Sequence, residues 1–139
     1  PPEESQIFVN KLKENNIDSI FLLSPTTENK RIELIIDQAS GFLYYVSLKG
    51  VTGSANIDIN QVAKRVDNIK SFTNLPIGVG FGVRDAKTAK EVASISDAVV
   101  IGSRIVQEIE SSNSNDLIKN IKKLMTEIKE AIDENKVTS

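Results

Sequence analysis

The sequence predicts an α/β fold in which a parallel sheet of about four strands alternates with helices. Three observations lead there. Short apolar runs, bounded by serine, glycine or proline, recur along the chain. Between them lie stretches whose apolar residues repeat at helical spacing. The glycines gather where an apolar run gives way to a helix. In parallel α/β folds those C-terminal strand ends form the active face.

Taken in order, a first helix is expected over roughly Glu3 to Asn15, with Ile7, Phe8 and Leu12 as its apolar stripe. Ser19 to Leu23 is a continuous apolar run, stopped by Ser24-Pro25-Thr26-Thr27 because proline cannot continue a ladder. Such a run fits a strand buried on both faces. The next helix covers Glu28 to Ala39, carries Ile32, Ile35 and Ile36, and is closed by Gly41. Phe42 to Val46 is the second strand. A third helix bears Ile59, Val62, Val66 and Ile69, and Leu75 to Val79 is the third strand. Asp85 to Ser94 reads as a helix with Ala86, Ala89 and Val92 on one face. Asp97 to Ile101 is the fourth strand. A short helix from Ser103 to about Ile109 precedes a long amphipathic one from Asp116 to Asn135, striped by Leu117, Ile121, Leu124, Ile128 and Ile132. The alternation argues for βαβ units and one domain over residues 1–139.

Composition narrows the chemistry. The chain has no cysteine and no histidine. It therefore has no disulfide or thiolate, no imidazole base and no Cys/His metal site. Lys and Arg number 17 against 19 Asp and Glu, without a block of like charge, which argues against nucleic acid. Apolar runs are too short to span a bilayer, and a secretory leader is not recognisable. A cytoplasmic protein without a cofactor is expected. The opening Pro1-Pro2-Glu3-Glu4-Ser5 leads almost at once into a helix, as a cut through a longer chain would.

Three glycine-bearing junctions carry the candidate site. In Gly50-Val51-Thr52-Gly53-Ser54 two glycines let backbone amides approach a ligand and Thr52 adds a hydroxyl, although a plain surface loop reads as well. In Gly78-Val79-Gly80-Phe81-Gly82 alternate glycines clear one face of a strand end. Amides there can meet an anion, with Phe81 as an apolar wall. Close packing at a barrel corner is the competing account. The third glycine of a dinucleotide fingerprint is missing. In Ile101-Gly102-Ser103 a glycine and a serine open a helix and offer free N–H groups and a hydroxyl, or simply an N-cap. The second and third junctions together are the stronger sign. Loops after the last two strands of a (β/α)8 barrel often bind phosphate with a short extra helix.

Tyr44 and Tyr45 point to opposite faces of their strand, so one of them faces inward. Arg84 and Lys49 lie near the same end but read first as solvated surface. No inward carboxylate is legible. Asp58 and Asp85 read as helix starts, while Asp18 and Asp97 stand at the bottoms of strands.

These segments resemble the tryptophan synthase alpha subunit family. Tyr44 to Ser47 with Gly50-Val51-Thr52-Gly53 resembles its sixth strand and loop. Pro76 to Arg84 resembles the seventh strand, and Asp97 to Val106 the eighth. The opening residues resemble the segment after the fourth strand. The resemblance implies the C-terminal half of a (β/α)8 TIM barrel with the N-terminal half absent. It implies retro-aldol cleavage of indole-3-glycerol phosphate to indole and glyceraldehyde 3-phosphate, with a beta subunit as partner. It also implies phosphate contacts from Gly53, Gly82, Gly102 and Ser103, an indole pocket bordered by Gly80 and Phe81, Tyr44 facing the glycerol chain, and Thr52 in the mobile loop. Leu48 stands where some members carry arginine. The family's catalytic glutamate and aspartate come from the second-strand region, so none is expected here and the fragment would be inactive alone. Two other readings stay open: a half barrel that self-assembles through its two unpaired sheet edges, and another phosphate-ester barrel enzyme.

Overall fold

Short strands with long apolar side chains on alternate residues set the frame. The structure is a computed structural model that describes residues 4–46, 58–80 and 82–134. Its elements are α1 (Gln6–Glu14), β1 (Phe21–Leu23), α2 (Asn29–Ile36), β2 (Leu43–Val46), α3 (Ile59–Lys70), β3 (Ile77–Gly80), α4 (Ala86–Ala93), β4 (Ala98–Val100), α5 (Ser103–Ser111) and α6 (Leu117–Asp133). The four strands lie side by side in chain order, every pair parallel. A sheet whose order never reverses steps the same way at each crossover and keeps its helices on one face. A doubly wound sheet reverses and covers both.

That one-sided cover is visible in the core. Leu23, Tyr45 and Val79 stand abreast, with Leu43 beside Ile77. They pack with Ile32 and Ile35 of α2, Val62, Val66 and Ile69 of α3, Ala89 and Val92 of α4, and Leu124 and Ile128 of α6. The opposite face carries Leu22, Tyr44, Gly78 and Gly80, and Leu22 is 63% exposed.

Three expectations are corrected here. β1 is not buried on both faces, because it is an edge strand and Ile20 and Leu22 point into the uncovered side. The stripe of Ile7, Phe8 and Leu12 is not the buried face of α1. Ile7 is 86% exposed and Phe8 66%, while Val9 is the buried residue. Nothing described covers the other side of this helix, which joins the rest near the end of α2, where Ser5 Oγ donates to Gln38 Oε1 at 2.7 Å. Gly41 also serves differently: α2 stops at Ile36, and Gly41 turns the chain into β2 at φ +73°.

The strand bottoms hold the polar residues expected there. Asp97 Oδ2 accepts from Ile77 N–H at 2.9 Å and meets Lys70 Nζ at 3.2 Å. Ser19 Oγ donates to the Gln38 carbonyl at 2.8 Å. Asp58 and Asp85 cap α3 and α4, accepting from Gln61 N–H at 3.1 Å and Thr88 N–H at 2.8 Å. The Thr88 N–H, then its hydroxyl, hold the Asp85 carboxyl below its ordinary value of 3.8. Asp85→Ala is expected to cost about 1 kcal/mol, as N-cap losses do. A depressed folded-state value means that this stability is present above the unfolded value and disappears as pH falls through the folded one. Urea midpoints of parent and variant should therefore differ at pH 7 and converge in acid; a gap independent of pH would rule out the carboxylate as its source.

Candidate functional site

Register decides which tyrosine belongs to the site. Tyr45 pairs with Leu23 and Val79, lies under the helices at 3% exposure, and is core. Burial raises its phenol pKa, partly offset by the nearby Arg65 charge. Tyr44 stands on the helix-free face, level with Leu22 and Gly78. Its ring lies over Gly80: a Cβ at that glycine would collide with Tyr44 Oη, Cε2 and Cζ. The bare backbone of β3 is thus what lets the ring lie across the sheet.

The next two contributors follow the ends of β3 and β4. Gly82 has φ +23°, a conformation that favours glycine. Gly102 is the N-cap of α5 at φ −119°, and its carbonyl accepts from Ile105 and Val106 N–H at 2.9 and 3.2 Å. Among the described residues, a Cβ on either glycine would meet no atom within 4 Å. Ser103 is the first residue of α5. The N–H groups that open a helix have no acceptor inside it and carry partial positive charge. No acidic side chain occupies the first turn of α5.

Tyr44, Gly82, Gly102 and Ser103 come together around one cavity of about 130 Å³, completed by Val83, Val100 and Arg104. At ~30 Å³ per water that is room for about four waters, the scale of a hydrated phosphate group. A larger hollow of about 460 Å³, lined by residues such as Lys13, Asp18, Ser19 and Ser40, lies at the N-terminal ends of β1 and β2. In parallel α/β folds that end serves stability, so the smaller cavity is the functional candidate.

Gly80 belongs to the same face but is covered by Tyr44. Thr52, Gly53 and Phe81 lie outside the described residues, as do Leu48 and Lys49. Arg84 is exposed and is not among the described residues that line the cavity. Val83, Val100 and Arg104 are the lining residues that sequence reasoning passed over, and Arg104 is the charged one. The available signal was its place directly after Gly102-Ser103, in the first turn of a helix.

The family model described as tryptophan synthase alpha chain matches residues 1–136. The chain belongs to the tryptophan synthase alpha chain family. It is 55% identical over 134 residues to the tryptophan synthase alpha chain of Janthinobacterium sp. (strain Marseille), covering 96% of this chain and 51% of that one. With the alpha chain of Nitrosomonas europaea it shares 53% over 133 residues, 96% of this chain and 48% of the relative. The crystal structure of tryptophan synthase subunit alpha from Legionella pneumophila superposes with a TM-score of 0.84 at 30% identity, over 96% of this chain and 49% of that one. This chain thus spans about half the length of the alpha chains it matches. Its four parallel strands and helices form half of a tryptophan synthase alpha TIM barrel. Among the described residues no helix is long and apolar enough to cross a membrane.

Proposed function

We propose that residues 1–139 form one partial barrel domain, the phosphate-binding half of a tryptophan synthase alpha chain. The whole enzyme cleaves indole-3-glycerol phosphate by a retro-aldol reaction to indole and glyceraldehyde 3-phosphate, in the cytoplasm, and passes indole to a beta subunit. The observation that carries the reading is the cavity joining Tyr44, Gly82, Gly102 and Ser103 at the strand C-termini. Backbone amides of Gly82, Gly102 and Ser103, with Gly53 from the sixth loop, hold the phosphate. The positive end of α5 favours its charge. Tyr44 faces the glycerol chain, Gly80 and Phe81 border the indole, and Thr52 helps position a catalytic carboxylate on loop closure.

Proton transfer is not provided by the described residues. Asp58 and Asp85 cap helices and Asp97 binds a strand end, and none of the three lines the cavity. General acid–base groups contribute roughly 10²–10⁴-fold each, which a phosphate cradle does not replace. The chain alone is therefore expected to release no indole from indole-3-glycerol phosphate while still binding glycerol 3-phosphate. An amide NMR titration in which Gly82, Gly102 and Ser103 shift together and saturate supports the reading. Dispersed spectra with those amides unmoved would remove it, and turnover abolished by changing a residue of this chain would remove the inactivity.

Self-association is favoured by a separate observation. Exposed apolar residues border both sides of the sheet: Ile20 and Leu22 at β1, and Val106 and Ile109 on α5 after β4. Unpaired parallel edges invite strand addition. A mass that rises with concentration in light scattering is expected; a monomer at every concentration would end this reading.

A further inference from the structure

Arg104 is the one charged residue among the described residues lining the phosphate cavity. It is the second residue of α5, and its Nη2 donates to Glu108 Oε2 at 2.7 Å, one turn further along. Both side chains are largely covered, at 27% and 18% exposure. The order of the pair is the reverse of what stabilises a helix. A cation belongs near the C-terminus and an acid near the N-terminus, where each opposes the helix dipole. Here the cation sits in the first turn, where it adds to positive charge already present, and the acid sits behind it. As an i,i+4 contact the pair still stabilises the helix, but the dipole opposes its order, and an anion in front of the helix gives Arg104 the stronger reason for this position.

Resting on the phosphate reading above, we infer that Arg104 is a further phosphate-binding residue and that Glu108 is its tether. With the cavity empty, Glu108 takes up the guanidinium charge, which would otherwise stand largely covered beside the amides of the helix start. When a phosphate dianion enters, the guanidinium exchanges one or both of its N–H bonds from carboxylate to phosphate. Arginine suits this exchange because its planar fork pairs with either oxyanion and never loses its charge. Glu108 thereby sets affinity: it competes with the ligand for the same donors. The pair also selects charge state, since a dianion outcompetes the single charge of Glu108 better than a monoanion does. Phosphate monoesters cross between those states near pH 6.

The test uses this chain with glycerol 3-phosphate as the probe, affinities being read from amide shifts between pH 5 and 8. Glu108→Gln is expected to tighten binding about three- to tenfold by releasing the guanidinium. Arg104→Gln should weaken it about tenfold and flatten the rise in affinity between pH 5 and 7. In the double variant the Glu108 effect should vanish, because Glu108 acts only through Arg104. Arg104→Lys, which keeps the charge but not the fork, should recover part of the affinity and the pH dependence. Circular dichroism keeps folding apart from binding: a purely structural pair would lower helicity and leave the pH profile unchanged in shape. If the parent binds and all variants match it, the inference is overturned and the phosphate reading stands. If the parent does not bind at these amides, the phosphate reading itself fails and takes the inference with it.

Discussion

Gly102→Ala is expected to fold as the parent does and to lose phosphate affinity about 30–100-fold, roughly 2–3 kcal/mol. At φ −119° the backbone of Gly102 is open to any L-residue, and an added Cβ meets no atom of the described residues within 4 Å. Alanine is a poorer N-cap than glycine, so roughly 0.5–1 kcal/mol is lost at the start of α5. The methyl group would project into the space of about 130 Å³ that a phosphate needs. Urea midpoints and glycerol 3-phosphate titrations on the same samples separate the two effects. Gly82→Ala makes a useful contrast: at φ +23° it is strained, so stability and binding should fall together. Undiminished affinity in a folded Gly102→Ala would place the phosphate elsewhere.

The fold was legible because its two periodicities are strong. The stripe on α6 announces Leu124 and Ile128, and both are buried. The stripe on α3 does the same for Val62, Val66 and Ile69. The failures sit at one edge. Ile7, Phe8, Ile20 and Leu22 have the sequence of core residues and the exposure of surface ones. Sequence reports how apolar a side chain is, not whether a neighbour exists to cover it. In a chain about half the length of its relatives, the residues at a sheet edge are where those two statements part.

The site divides in the same way. Gly82, Gly102 and Ser103 were readable as candidates because glycines and helix starts are written in the local sequence, and they line one cavity. Tyr44 and Tyr45 could not be told apart by alternation alone. The parity of the neighbouring strand settles it, for Ile77 and Val79 alternate with Gly78 and Gly80, and Tyr44 pairs with Gly78. Arg104 was marked only by its place directly after Gly102-Ser103, because nothing else local says that a helix start faces a cavity. That fact depends on β3 lying beside β4 in parallel register.

Gly80→Ala is the substitution with the largest expected effect on stability, about 1–3 kcal/mol, the range of overpacking. Gly80 is buried within β3, and its Cα faces the ring of Tyr44 across the sheet. A methyl group there cannot coexist with the ring in its present position, since it would collide with Cε2 and Cζ as well as Oη. Tyr44 is only half-buried, so its ring has somewhere to go, and the nearest space is the cavity that it lines. Two consequences follow from that displacement. Affinity for glycerol 3-phosphate should fall even though Gly80 does not line the cavity. The damage should also depend on Tyr44. In the Tyr44→Ala background the added methyl meets no ring, and Gly80→Ala should then cost at least about 1 kcal/mol less than in the parent, a coupling ordinary for residues in contact. A double-mutant cycle in urea measures this. If the two substitutions simply add, the glycine is there for the strand backbone and not for the tyrosine, and Tyr44 loses its claim to be held in place by β3.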